Sequence, residues 1–353
     1  MKKRILYSML IAASTMVSLA SCDSFLEENP RDQITEEQAY KNSTLIYLNT
    51  VASLYTQVGG SSGGAGLQGT DRGIYDLNTF TTDEVMLPTR GGDWYDGGLW
   101  QNLFHHAWGT KNDLLKGSWD YLYKVIAQTN ASLDKLNSIL KEDPNNKVIP
   151  PYIAEVRAFR AMYYYYLLDM FARVPIVTSS KVELKDVEQS ERSAVFNFVK
   201  KELEETVEQL SDAHSNLSGE YYGRMTKPVA YLLLAKIALN SEIYADDNWT
   251  DGTKIDGKTI KFTVDGEEKN AWEATIAYCD KITALGYKLE PKFASNFSTT
   301  NENSVENIFT IPMDRNLYKN EFYYLIRSRH YSHAKAYGQG GWNGASATKE
   351  AID

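Results

Sequence analysis

Two cysteines in 353 residues, Cys22 and Cys279, are too few for a disulfide framework, so stability has to come from packing. Histidine is also scarce. His105 and His106 are adjacent, a spacing that rarely aims both rings at one ion, and His330 and His333 have no evident cysteine or carboxylate partner. No metal and no cofactor is therefore expected. Gly-x-Ser-x-Gly occurs only at the start of the Ser/Gly tract, at residues 59–64, and Gly-x4-Gly-Lys-Thr occurs at residues 252–259 ahead of a segment that reads as a β-hairpin and not as a helix, so neither carries its nucleophile or nucleotide signature. Positive charge is in deficit. With 37 Lys and Arg against 46 Asp and Glu, the formal charge is −9, which argues against nucleic-acid binding, because that needs a basic footprint to displace counterions. A membrane-spanning helix takes about 20 apolar residues. The apolar run at residues 5–17 is shorter and is interrupted by Ser8, Ser14 and Thr15.

That run has another reading. Basic Lys2-Lys3-Arg4, a short apolar core and Leu19-Ala20-Ser21-Cys22 form a secretory signal peptide over residues 1–21, ending in a lipobox. Cys22 is expected to become the first mature residue and to carry the lipid. An acidic start follows at Asp23, Glu27 and Glu28. It resembles the surface-export pattern of Bacteroidetes lipoproteins, which implies an expected location at the outer membrane, lipid-anchored and facing outward.

What is plentiful is aromatic: 24 Tyr, 12 Phe and 7 Trp, which divide between helical patterns and glycine-rich loops. Thr35 ahead of Gln38 is a capping box opening a helix expected over residues 36–58, ended by Gly59-Gly60. A Ser/Gly tract, 60–69, is a loop on composition. Residues 70–110 show no sustained helical period and read as long ordered loops with short strands, and loops of that length are usually functional. From residue 111, apolar side chains recur at three- and four-residue spacing: Trp119, Leu122, Tyr123, Ile126, Leu133, Leu136 and Leu140. Further helices are expected over 152–172, 190–210, 226–244 and 272–285. The second pairs with the third and the fourth with the fifth, with Ala158, Ala161, Ala230, Ala235 and Ala238 at the close approaches, like tetratricopeptide units. Tyr163 to Tyr166 lie mid-helix and read as packing. Between helices, residues 259–264 flanked by Asp256-Gly257 and Asp265-Gly266 read as a small β-hairpin. After residue 286 loop character returns, with a short strand expected at 307–312. The fold class is mainly α, in three parts: N-terminal helix and loops 22–110, helical repeats 111–286, and a loop-rich part 287–353.

The candidate ligand site lies in the glycine-rich loops. Arg90, Asp93, Trp94, Tyr95 and Trp100 fall within one stretch that runs on to His106 and Trp108, and Trp342-Asn343 sit among glycines far along the chain. Such groups suit sugars. Indole and phenol faces stack on the C–H faces of a pyranose ring, while Asp, Asn and Arg bond to hydroxyl pairs. Two aromatic loops can form one platform, although plugging the helical scaffold is an equal reading of the same tryptophans. The acidic pairs Asp83-Glu84 and Asp93/Asp96 raise glycoside hydrolysis, which uses two carboxylates flanking the scissile bond, yet acidic pairs on loops are more often turn formers, and no enzyme is expected.

These segments together resemble the SusD/RagB-type lipoproteins. The resemblance rests on Cys22 followed by Asp23-Ser24-Phe25-Leu26-Glu27, on Ala39-Tyr40, Thr82-Asp83-Glu84 and Arg90-Gly91-Gly92-Asp93-Trp94, on residues 155–161 through Tyr164 to Val174-Pro175, on residues 226–236, on Glu306-Asn307-Ile308-Phe309 and on Gly341-Trp342-Asn343-Gly344, in that order. It implies a SusD-like helical scaffold that captures oligosaccharides and passes them to a SusC-like TonB-dependent transporter. Family members usually continue beyond the Gly341-Trp342-Asn343-Gly344 position, so the C-terminal part is expected to be incomplete. Two alternatives remain: a surface glycoside hydrolase, and a helical-repeat lipoprotein that grips a peptide or another protein.

Overall fold

The computed structural model describes residues 35–60, 66–67, 71–314, 316 and 324–352. The expected signal peptide 1–21, Cys22 and the acidic start after it lie outside the described residues, as does most of the Ser/Gly tract. The chain divides into two compact units, Met1–Ile46 and Tyr47–Asp353.

In the first unit, Thr35 and Gln38 close the expected capping box on α1, Glu36–Ala39. The single helix expected to residue 58 is broken. Asn42 Oδ1 accepts the Leu45 N–H at 2.9 Å, a local side-chain bond that competes with helix continuation and starts α2, Ser43–Tyr47, afresh. The second unit begins at Tyr47, with a π-helical turn, Leu48–Ala52, leading into α3, Ser53–Tyr55.

In the second unit, two short helices stand where loops were expected: α4, Ile74–Phe80, and, after strand β1, Val85–Met86, α5, Leu99–Phe104. Seven and six residues are too few for a 3.6-residue period to repeat, which is why the pattern gave no sign of them. The repeats follow as α6, Asp113–Glu142; α7, Ile149–Phe171; α8, Arg192–Thr206; α9, Lys227–Leu239; and the short α10, Ser241–Tyr244. The hairpin is β2, Lys261–Val264, with β3, Glu267–Asn270. Asp265 and Gly266 both have positive φ, 56° and 78°, as a two-residue I′ turn requires. Asp256-Gly257 is no part of that turn; Gly257 lies against Trp272, whose ring a Cβ there would meet at 2.4 Å. Asn270 then N-caps α11, Ala271–Ala284, with Glu273 completing the box.

The helices pack α6 on α7, α7 on α8, and α9 on α11. Ala154, Ala158 and Ala161 are buried along α7, so its neighbours approach closely. Tyr163 and Tyr164 are fully buried, and Tyr163 shares a 2.9 Å hydrogen bond with Tyr121. A polar network threads the same contact. Arg160, 5% exposed, donates to Glu202 Oε2 of α8 at 2.7 Å and to Asn130 Oδ1 of α6 at 2.8 Å. Arg157 donates to Glu202 Oε1 at 2.6 Å. Buried charges persist only when paired this fully, so the network fixes how three helices register.

The strand expected at 307–312 does not form. Asn307 N–H bonds back to Ser304 Oγ at 3.0 Å and Pro312 has no N–H to offer a ladder. Past it come α12, Tyr324–Ser328, α13, Tyr331–Ala336, and β4, Ser346–Ala347. β4 pairs antiparallel with β1, Val85 opposite Ala347 and Met86 opposite Ser346, and brings the two glycine-rich aromatic segments together. Among the described residues, no helix is long and apolar enough to cross a membrane.

Candidate functional site

The loop after β1 closes on itself. Arg90 N–H donates to Asp93 O at 2.9 Å and Asp93 N–H to Arg90 O at 3.0 Å, and Gly91 takes the positive φ of 63° that this turn needs. Trp94 and Asp96, with φ of 62° and 41°, hold backbone conformations unusual for residues with side chains. Each is tied down by its side chain. Trp94 Nε1 donates to Trp342 O at 3.0 Å, and Asp96 Oδ2 accepts Trp100 Nε1 at 2.8 Å and Arg72 Nη2 at 3.0 Å.

The distant aromatic segment is held by backbone bonds. Trp342 N–H donates to Ile326 O, Asn343 N–H to Arg329 O and Gly344 N–H to Arg327 O, at 2.9, 2.8 and 2.7 Å. Gly344 is required for space. A Cβ there would stand 2.8 Å from Trp94 Cε2 and 3.0 Å from Arg327 Cγ. Gly344→Ala is therefore expected to displace the Trp94 indole and to destabilise the protein by about 1–3 kcal/mol, as overpacking does. Thermal melting together with indole fluorescence checks this.

The two segments form an open cleft of about 430 Å³ lined by Asp71, Arg72, Asp93, Trp94, Asp96, Tyr331 and Trp342. Trp94 and Trp342, both half-buried, lie with ring centroids 6.3 Å apart and planes tilted by 38°. Trp94 also meets Trp100 edge to face at 6.3 Å. Tyr331 donates its hydroxyl to Asp93 Oδ2 at 2.8 Å, and that bond holds the phenol above its ordinary pKa.

Below lies an apolar cluster of Leu77, Phe80, Leu87, Trp100, Leu103, Leu114 and Ala345. A cation is sunk into it. Arg327, 1% exposed, donates Nη1 to Asp76 Oδ1 at 2.6 Å and Nη2 to Asp71 Oδ1. Its guanidinium carbon stands 5.2, 5.6 and 6.0 Å from the ring centroids of Trp100, Phe80 and Trp94. Burial pushes the Asp76 carboxyl above its ordinary pKa even though Arg327 pulls the other way. Asp76 Oδ2 also accepts the Arg72 N–H at 2.7 Å, so the pair carries the entry to the cleft as well as its floor.

Of the residues expected to touch ligand, Asp93, Trp94 and Trp342 line the cleft. Trp100 does not reach it. At 1% exposure it is the floor, because Phe80, Trp94 and Arg327 cover its faces. Arg90 turns to Ser346 Oγ at 2.5 Å, and His106 turns to Thr81 O at 2.7 Å and lies against Trp108. Tyr95 is 59% exposed and Asn343 is half-buried, and neither lines the cleft. Asp71, Arg72 and Tyr331 went unread in the sequence. Asp71-Arg72 adjoin a Ser/Gly tract that reads as loop, and Tyr331 sits beside histidines that draw attention to metals. Asp83-Glu84 are exposed and take no part in lining the cleft.

Comparison with known proteins bears on this arrangement. Residues 68–239 match the SusD-like family model described as "Starch-binding associating with outer membrane". A SusD-like protein of Formosa agariphila is 22% identical over 344 residues, 95% of this chain and 57% of that protein. The starch-binding protein SusD of Bacteroides thetaiotaomicron is 22% identical over 313 residues, 86% of this chain and 50% of its own. The chain spans about half the length of the curated relatives it matches. Among solved structures, surface glycan-binding protein A of Bacteroides thetaiotaomicron in complex with laminarihexaose superposes with a TM-score of 0.60 at 18% identity, covering 87% of this chain and 59% of that one.

Proposed function

The chain belongs to the SusD family, and on that premise we propose that its aromatic cleft captures oligosaccharides at the cell surface without cleaving them and delivers them to a SusC-like TonB-dependent transporter. The observation that carries the reading is the pair of half-buried tryptophans, Trp94 and Trp342, held over a solvent-open cleft beside exposed carboxylates. Such a surface offers flat apolar faces to sugar rings and hydrogen-bond acceptors to their hydroxyls. An open cleft captures and releases readily, as a carrier must. The family description, with its starch binding and outer-membrane association, supports both ligand class and location.

The carboxylates lining the cleft fit binding better than hydrolysis. A glycosidase needs a carboxyl kept protonated, usually by an apolar pocket. Asp93 and Asp96 are exposed, and Asp96 is paired with Arg72. Asp76, a buried carboxyl, faces Arg327 and lies outside the lining.

The test is calorimetric titration of the chain from residue 23 with neutral oligosaccharides, followed by analysis of the recovered glycan. Saturable binding with intact glycan is the expected result, and shortened products would overturn the carrier reading. Anchoring is tested in the cell, where Cys22→Ala is expected to move the protein out of the membrane fraction and abolish fatty-acid labelling. Acylation of Cys22 would supply the membrane hold that a chain with a formal charge of −9 does not gain from anionic lipid.

A further inference from the structure

We infer that the cleft selects uncharged glycans and rejects those bearing uronic acids or sulfate, with Asp93 as the residue that sets this preference. The inference rests on the capture reading above and sharpens it to a substrate class.

Among the described residues, the cleft presents three carboxylates, Asp71, Asp93 and Asp96, against one guanidinium, Arg72. That guanidinium is already committed. Its Nη2 donates to Asp96 at 3.0 Å and its Nε lies 3.7 Å from Asp71. The cations nearby are directed elsewhere. Arg327 is 1% exposed and bound to Asp76 and Asp71, and Arg90, whose Nη2 bonds Ser346, is not in the lining, although its charge reaches Tyr331 and opposes the effect of Asp93 on that phenol. Among the described lining residues, a carboxylate or sulfate carried over the Trp94–Trp342 faces would therefore meet like charge in excess and no cation that is not already paired, whereas bidentate Arg is what usually recognises such groups.

Asp93 stands at the decisive point. It is exposed, its Oδ2 takes the Tyr331 hydroxyl, and its Oδ1 has no partner among the described residues. A sugar hydroxyl can donate to that oxygen in a charge-assisted bond, but a sugar carboxylate cannot. Like charges a few ångströms apart near a protein surface cost a factor of roughly ten or more in affinity. The effect should shrink as salt is raised, since these groups are solvent-accessible.

The probes are neutral cello-, laminari- and maltohexaose set against galacturonate and mannuronate hexamers, titrated at low and high salt into the full chain and into Asp93→Asn and Trp94→Ala. The expected result is Trp94-dependent binding of at least one neutral hexamer and roughly ten-fold or weaker binding of the uronates at low salt. Asp93→Asn keeps an acceptor for Tyr331 but removes the charge, so it should narrow the ratio of neutral to uronate affinity. Uronates bound as tightly as neutral hexamers, in a Trp94-dependent manner, would overturn the charge selection and leave the capture reading standing. A ratio unmoved by Asp93→Asn would remove Asp93 from the argument. No hexamer of either kind binding a chain shown to be folded would overturn the capture reading, and this inference with it.

Discussion

Arg327→Met is expected to destabilise the protein by about 3–5 kcal/mol, the usual cost of removing one partner from a buried ion pair and leaving the other charge uncompensated. The stranded group is Asp76, buried at 1% exposure in the apolar floor. Its carboxyl already sits above its ordinary pKa through burial, with Arg327 opposing that shift. Without the guanidinium the folded-state pKa rises further. A raised carboxyl pKa favours the folded state only at pH values below the ordinary carboxylate range, and the advantage disappears as pH rises through the folded value. The variant should therefore be nearest to wild type in acid and fall away toward neutral pH. Thermal melting across that range should show a loss of roughly 10 °C near neutrality for a chain of this size. Asp76→Asn on the same background should restore part of the loss, because it removes the charge that had been left alone. Equal melting of the Arg327→Met protein and wild type at neutral pH would show that the pair does not hold the floor.

Trp94→Ala is expected to weaken oligosaccharide binding by about 2 kcal/mol or more, roughly thirty-fold in Kd, the scale of a central aromatic contact. On the proposed reading the indole would contribute a stacking face, and its Nε1–H holds the Trp342 carbonyl at 3.0 Å, so its removal is expected to release the second aromatic as well. Trp342→Ala keeps that carbonyl and should lose only its own face, a smaller effect. Trp94→Phe keeps a flat face without the N–H and should fall between wild type and Trp94→Ala. The measurement is titration with whichever neutral oligosaccharide binds, with a melting curve run beside each variant. Binding by Trp94→Ala at wild-type affinity would move the site off this loop.

How legible the molecule was in its sequence depended on how local each signal is. Long helices repeat their apolar period many times, so α6 to α9 and α11 were readable to within a few residues, and the Asp265-Gly266 turn announced its hairpin through the two positive φ values it needs. The helix expected from residue 36 to 58 failed because one Asn42 side chain redirects the backbone, a competition between two nearly equal local bonds that composition does not resolve. The six- and seven-residue helices had no period to show.

By itself the sequence determined the mainly helical class, the pairing of the repeats, the sparing use of cysteine and the presence of aromatic, glycine-rich loops. Which of those aromatics face solvent was decided only by the tertiary structure. Trp94 and Trp100 are six residues apart in one segment and look alike in sequence, yet one walls the cleft and the other is its floor. The difference comes from groups far along the chain. β4 pairs with β1 across more than two hundred residues, Gly344 leaves room for the Trp94 ring, and Arg327 enters beneath it to meet Asp76. Burial and ion pairing depend on what arrives from a distance, and no local pattern encodes that arrival.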